Sequence, residues 1–279
     1  MDIIYHYTDL NAFLSIIKNK KLWLSAANNL NDYYEVDWFL NKIHKKLSKV
    51  VNDNNHNCLD TYWQMLRKQL GIPYICSFSK NGDLLSQWRA YADNGYGVAI
   101  GFNKAYFDFK VELPYLSHCK DHTIGITDVI YDESIQDKII ESYINQLKDF
   151  NSLEKAGEVV INSVSHLVRL SYASKNPAFA EENEVRIIHT PMVMGFEGDS
   201  KIGKTIVHGN ISEMQHRVSG KRITSFFELD ISTGNNDIPP ISEIILGPKS
   251  KLSKYDIDTL LSLNGFSDAE YRTSIASYR

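Results

Sequence analysis

Apolar positions recur at two periods along this chain, and the alternation between them outlines the fold. After a short run at residues 3–7, Leu10, Phe13, Leu14 and Ile17 fall at i, i+3, i+4 and i+7. With Thr8 as a suitable N-cap, that spacing predicts a strand, a cap and an amphipathic helix in immediate succession. Residues 22–25 read as a second short strand, and the Asn/Asp-rich 28–32 as a loop. Val36, Phe39, Leu40, Ile43, Leu47 and Val50 carry a second helical stripe. Beyond the polar 52–55, Leu59, Trp63, Leu66 and Leu70 carry a third. Residues 72–78 suit a buried strand and 83–91 a short helix, while Gly95, Gly97 and Gly101 bracket another buried strand at 98–100. Further strands are expected at 109–113, 124–131, 185–189, 223–231 and 241–246. Helical stripes at 135–147 and 159–170 flank a break around Asn151 and Gly157. A last helix at 255–263 closes on Asn264-Gly265. Strands and helices interspersed so irregularly predict an α+β fold rather than a regular βαβ array. The expectation is a single unit over 1–279 with helical insertions near 33–70 and 133–173.

Composition narrows the function classes. The chain has 279 residues, 43% of them hydrophobic, and a formal net charge of -4, so it is long enough to bury a substantial core. It lacks the global basic field that drives binding to duplex nucleic acid. Three cysteines are too few for a disulfide framework and fit a reducing compartment. With neither a leader-like N-terminus nor an apolar run of membrane-spanning length, a cytoplasmic location away from membranes is expected.

Four constellations could carry chemistry. His6 sits on the first strand just before the capped helix, where an imidazole nitrogen can meet a ligand ribose or phosphate. A hydrogen-bonded structural histidine is the commoner use of such a position. In Glu182-Asn183-Glu184-Val185-Arg186, an extended backbone would send both carboxylates and the guanidinium to one face. Such carboxylates can stabilise an oxocarbenium-like centre, although an exposed ion-pair ladder would produce the same pattern. Ser77 and Ser79 precede Leu85-Ser86-Gln87-Trp88-Arg89-Ala90-Tyr91. On a helix, Ser86 and Arg89 share a face that suits a phosphate, with Trp88 and Tyr91 packed inward. His118-Cys119-Lys120-Asp121-His122 mixes zinc-ligand residue types, but adjacent ligands chelate poorly and no second cluster has matching spacing, so no metal is expected.

Taken in order, these motifs resemble the bacterial domain-of-unknown-function family 2971. The residues carrying the resemblance are His6-Tyr7-Thr8, Leu22-Trp23-Leu24-Ser25, Ser77-Phe78-Ser79, the helix motif at 85–91, Gly97-Val98-Ala99-Ile100-Gly101-Phe102, the acidic segment at 179–186 and Glu243-Ile244-Ile245-Leu246-Gly247-Pro248. The motif order is also similar to that of NAD-dependent ADP-ribosyltransferases. That second resemblance implies a mixed, split β-sheet core and NAD as substrate. By it, His6 contacts the adenosine ribose, Ser77 or Ser79 supports the nicotinamide side, Glu184 holds the nicotinamide ribose, and Glu182 positions an unknown macromolecular acceptor. Thr8, Ser86, Arg89 and Arg186 complete the residues expected around a small anionic nucleotide. Arg186 departs from the transferase pattern, in which an aliphatic residue is common. The alternative reading is a nucleotide-sensing or protein-interaction module without catalysis.

Overall fold

The computed structural model describes residues 2–29, 33–147, 153–193, 205–232 and 238–276. Residues 30–32 of the expected loop, and the break at Asn151, lie outside these described residues. The chain is a mixed α+β protein. Its elements in order are β1 (Ile3–Thr8), α1 (Leu10–Asn19), β2 (Lys21–Ala26), α2 (Tyr33–Leu47), α3 (His56–Gln69), β3 (Tyr74–Ser79), α4 (Leu85–Tyr91), β4 (Val98–Asn103) and β5 (Ile124–Asp128). There follow α5 (Glu133–Leu147), α6 (Leu153–Tyr172), β6 (Glu184–His189), β7 (Met192–Val193), β8 (Thr205–Ile206), β9 (Gln215–Ser219), β10 (Arg222–Asp230), β11 (Ile241–Leu246), α7 (Lys254–Leu263) and β12 (Glu270–Thr273).

One sheet runs β12-β11-β4-β1-β3-β2-β10-β9, with β6 and then β5 branching from β3. Only the β11–β12 pair is parallel among the described strands, as expected where most connections are not βαβ crossovers. β3 is the branch point. One edge is fully paired with β6, from Tyr74↔His189 to Ser79↔Glu184. The other edge is divided, because Ser79 pairs with Tyr5 of β1, while Tyr74 and Ile75 pair with Ala26 and Ser25 of β2. Between those contacts Cys76, Ser77 and Phe78 face a gap, so the sheet is split where β1 and β2 diverge.

Helix α1 bridges the gap at one level of the sheet. Its N-cap is Asp9, whose carboxylate accepts the Ala12 N–H at 2.9 Å, rather than Thr8. Thr8 is the last residue of the β1–β4 ladder, opposite Val98, so its backbone is committed to the strand. Phe13, Ile16 and Ile17 of α1 enter a core with β1 to β4, β10, β11 and α7. At the C-terminus Lys20 takes a left-handed conformation, φ 53°, and its N–H caps Ile16 O, which turns the chain directly into β2.

The two helical insertions meet. Phe39, Leu40 and Ile43 of α2, Tyr62 and Leu66 of α3, Ile140 and Ile144 of α5, and Val164 and Leu167 of α6 form a second core that touches the sheet through Ile75 and Ile188. Residues 109–113 do not form the expected strand. They contribute one bridge residue, Val111 opposite Gly125, where a Cβ on Gly125 would stand 2.5 Å from the Val111 and Glu112 carbonyl oxygens. No helix among the described residues is long and apolar enough to cross a membrane.

Candidate active-site cleft

The divided edge of β3 opens into a cavity of about 410 Å3, within the range of small-molecule sites. Its floor is β3, one wall is β1 with the start of α1, and the other is β2. Period two along β2 aims Lys21, Trp23 and Ser25 at the cavity, while Leu22 and Leu24 turn into the core. His6 spans the split. Its Nδ1 lies 3.0 Å from the Ser77 carbonyl oxygen, which has no strand partner on that side. A carbonyl only accepts, so Nδ1 carries the proton and Nε2 is left as the acceptor nitrogen. Burial lowers the His6 pKa, against the opposing pull of the Ser77 carbonyl, and the ring is neutral.

At one end of the cavity stands a buried charge cluster. Arg186 clamps Glu184 with two bonds, Nε to Oε1 at 2.7 Å and Nη2 to Oε2 at 2.9 Å, and donates a third to the Tyr172 carbonyl at 2.9 Å. Lys175 joins the two acids, donating to Glu182 at 2.6 Å and to Glu184 at 3.2 Å. Burial would raise the Glu184 carboxyl. The Arg186 charge and hydrogen bonds, then Lys175 and Ser77, reverse that and hold it at about 2. Two carboxylates and two cations make the cluster neutral overall, with only the Glu182 side chain as much as 17% exposed.

The acidic segment is not one extended strand. Residues 177–182 form a 3₁₀ turn, and Asn183, at φ 45°, reverses the backbone before β6 begins. Glu184 and Arg186 share a strand face as the alternation required, whereas Glu182 reaches the same cluster from the turn. Its backbone is fastened by the Ser79 hydroxyl, which donates to Glu182 O at 2.8 Å.

Of the residues singled out from sequence, His6, Thr8, Ser77, Ser79, Glu182 and Glu184 line the cavity together. Ser86, Arg89 and Arg186 do not. Helix α4 buries Gln87 and Trp88, which turns Arg89 to the exposed flank, and the Ser86 hydroxyl is enclosed without a hydrogen-bond partner. Arg186 is only 2% exposed and lies behind Glu184. Tyr91, expected to pack inward, is 49% exposed, lines the cavity and directs its hydroxyl to Glu182 at 3.5 Å.

Sequence reasoning missed Lys175 and Arg217. The first had a legible signal, because two carboxylates destined for burial require cations and Lys175 stands in the short link between α6 and the acidic segment. The second had none, since it sits on β9, a strand whose alternation is too weak to register. No group of three or more metal-ligating side chains occurs among the described residues.

Residues 87–187 match the family model described as "Protein of unknown function (DUF2971)". The DUF2971 segment runs from within α4 into β6, so it contains Lys175, both carboxylates and Arg186, while His6, β2 and Arg217 lie outside it. Neither the curated proteins nor the solved structures include a match to the chain. The family resemblance is thus supported over this part of the chain, and the ADP-ribosyltransferase motif order finds no support in these comparisons.

Proposed function

We propose that the cleft binds NAD and that the protein breaks the nicotinamide–ribose bond, transferring ADP-ribose to an acceptor. The observation that supports this is the meeting of His6, Ser77, Glu182 and Glu184, drawn from three distant stretches of sequence, around one ligand-sized cavity in a split sheet. In this reading the neutral His6 Nε2 accepts a ribose hydroxyl. Glu184, immobilised by Arg186, orients the ribose on the nicotinamide side. Glu182, the more exposed acid, faces the positive charge that develops at the anomeric carbon as nicotinamide departs.

The test is nicotinamide release from NAD, with and without cell extract as a source of acceptor. Glu182→Gln is expected to lower the rate about 10²- to 10³-fold in a protein that still folds, with a melting temperature lowered because buried Lys175 loses its 2.6 Å partner. Glu184→Gln should lower both rate and stability. Failure of the wild-type chain to bind NAD at all would refute the proposal.

A second reading, a nucleotide-binding module without catalysis, is favoured by the neutrality of the acidic cluster. Lys175 and Arg186 cancel the field that a cationic transition state needs. NAD binding without nicotinamide release, and with equal affinity in Glu182→Gln, selects this reading over the first.

A further inference from the structure

The end of the cavity opposite the carboxylates is built around the guanidinium of Arg217, which has no counter-ion among the described residues. Arg217 reaches over β10 from β9, with its guanidinium carbon 4.6 Å from the Trp23 ring centre and 5.9 Å from that of Phe226. Its Nη2 donates to the Ser25 hydroxyl at 3.1 Å, and its Nε is enclosed without a hydrogen-bond partner. No carboxylate stands in ion-pair range of it among the described residues. The nearby acid Glu228 is bound to Lys21 at 2.6 Å. Partial burial lowers the Arg217 pKa, with no acid pulling the other way. A guanidinium half removed from water, stacked on an aromatic ring and short of acceptors, is arranged to receive an anion in its planar fork.

The register of β3 sets the spacing between the two ends. Ser25, which holds Arg217, pairs with Ile75, and Glu184 pairs with Ser79. Four residue steps of extended chain separate them, roughly 13 Å. That is room for a ribose and a pyrophosphate laid along the strand.

We infer that the Arg217, Trp23 and Ser25 end of the cleft is the seat of a nucleotide's pyrophosphate, so that the ligand lies along β3 with its phosphates at β2 and a ribose at Glu182 and Glu184. The nucleotide part of this inference rests on the reading proposed above, whereas the anion seat stands on its own geometry.

The test titrates the full-length chain with inorganic pyrophosphate and with ADP-ribose by calorimetry, following tryptophan emission in parallel. Trp23→Phe identifies the Trp23 share of the emission change. Pyrophosphate is expected to bind the wild type and perturb Trp23. Arg217→Gln should weaken it roughly ten- to a hundredfold, with Arg217→Lys in between. Melting curves accompany both variants, and Arg217→Lys carries the comparison if Arg217→Gln does not fold.

ADP-ribose should bind at least tenfold more tightly than pyrophosphate, and equal affinities would overturn the nucleotide assignment. Absence of pyrophosphate binding, or equal binding by wild type and Arg217→Gln, would overturn the seat even if NAD were cleaved. Pyrophosphate binding that is lost in Arg217→Gln, in a chain that ignores NAD, would uphold the seat and refute the proposed reaction.

Discussion

Replacing Arg186 by methionine would test what the buried end of the cleft contributes to stability. Methionine keeps the unbranched apolar stem of the side chain but is shorter and removes the fork that holds both Glu184 oxygens. It leaves a carboxylate that is 6% exposed with Lys175 as its remaining cation. The Glu184 carboxyl stands at about 2 instead of its ordinary 4.5, a gap that corresponds to about 3 kcal/mol at ~1.4 kcal/mol per pH unit. Because the folded value lies below the unfolded one, this stabilisation is complete above pH 4.5 and is lost as the pH falls towards 2. That net gap includes burial, Lys175 and Ser77 as well as Arg186, so the cost of Arg186→Met at neutral pH is set by stranding a buried carboxylate, about 3–5 kcal/mol, or ~6–20 °C in melting temperature. The variant's further loss between pH 4.5 and 2 should be smaller than that of the wild type. Adding Glu184→Gln to Arg186→Met removes the stranded charge and should recover part of the deficit. Thermal melts of the four proteins of this cycle at pH 7 and pH 3.5 decide the matter. An Arg186→Met protein that melts within 2 °C of wild type, or a double variant no more stable than Arg186→Met, would refute the reasoning.

Two further predictions concern the frame around the cleft. A Cβ at Gly97 would lie 2.1 Å from the Thr8 carbonyl oxygen and 3.0 Å from that of Ala92. Both obstacles are backbone, so Gly97→Ala should destabilise by about 1–3 kcal/mol, and a melting temperature equal to wild type would show that β1 and β4 can separate freely there. His189 donates from Nδ1 to the Thr123 carbonyl at 2.9 Å and is fully enclosed. Burial lowers its pKa to about 4, with the Thr123 carbonyl opposing and His208 assisting. The neutral ring is thus favoured by folding, and its contribution, about 3 kcal/mol, is present above pH 6.5 and lost as the pH falls to about 4. An NMR titration in which the His189 imidazole protonates above pH 6 would contradict this.

Legibility in the sequence followed the sharpness of each residue's environment. The helical insertions could be read directly because each packs a continuous apolar stripe against the others, and β6 and β11 because both are largely enclosed. β9 could not, because it is an outer strand paired only with β10, and Val218 is 77% exposed. Arg217 was hidden with it. Glu184 was found since it sits on a regular strand where period two predicts its direction, and His6 since it lies on a strand just before a capped helix, while Ser77 took its role from the resemblance alone. Glu182 reached the expected place by an unexpected route, because the left-handed Asn183 breaks the alternation that was used to place it. Arg89 was misplaced because helix periodicity tells which residues share a face and not which face meets the cavity. Trp88, fully enclosed, settled that orientation.

The division of β3 also has a mechanical consequence. The β1 wall is bound to β4 by six residue pairs, and the β2 wall to β10 by five. Towards the floor the same walls are held by one pair and by two. Each wall is therefore stiffer with its outer neighbour than with the strand beneath the ligand. The sheet behaves as two plates meeting along β3, with α1 as the strap between them. Widening the cleft strains those three residue pairs and the His6–Ser77 hydrogen bond across the split, while the β1–β4 and β2–β10 ladders stay intact.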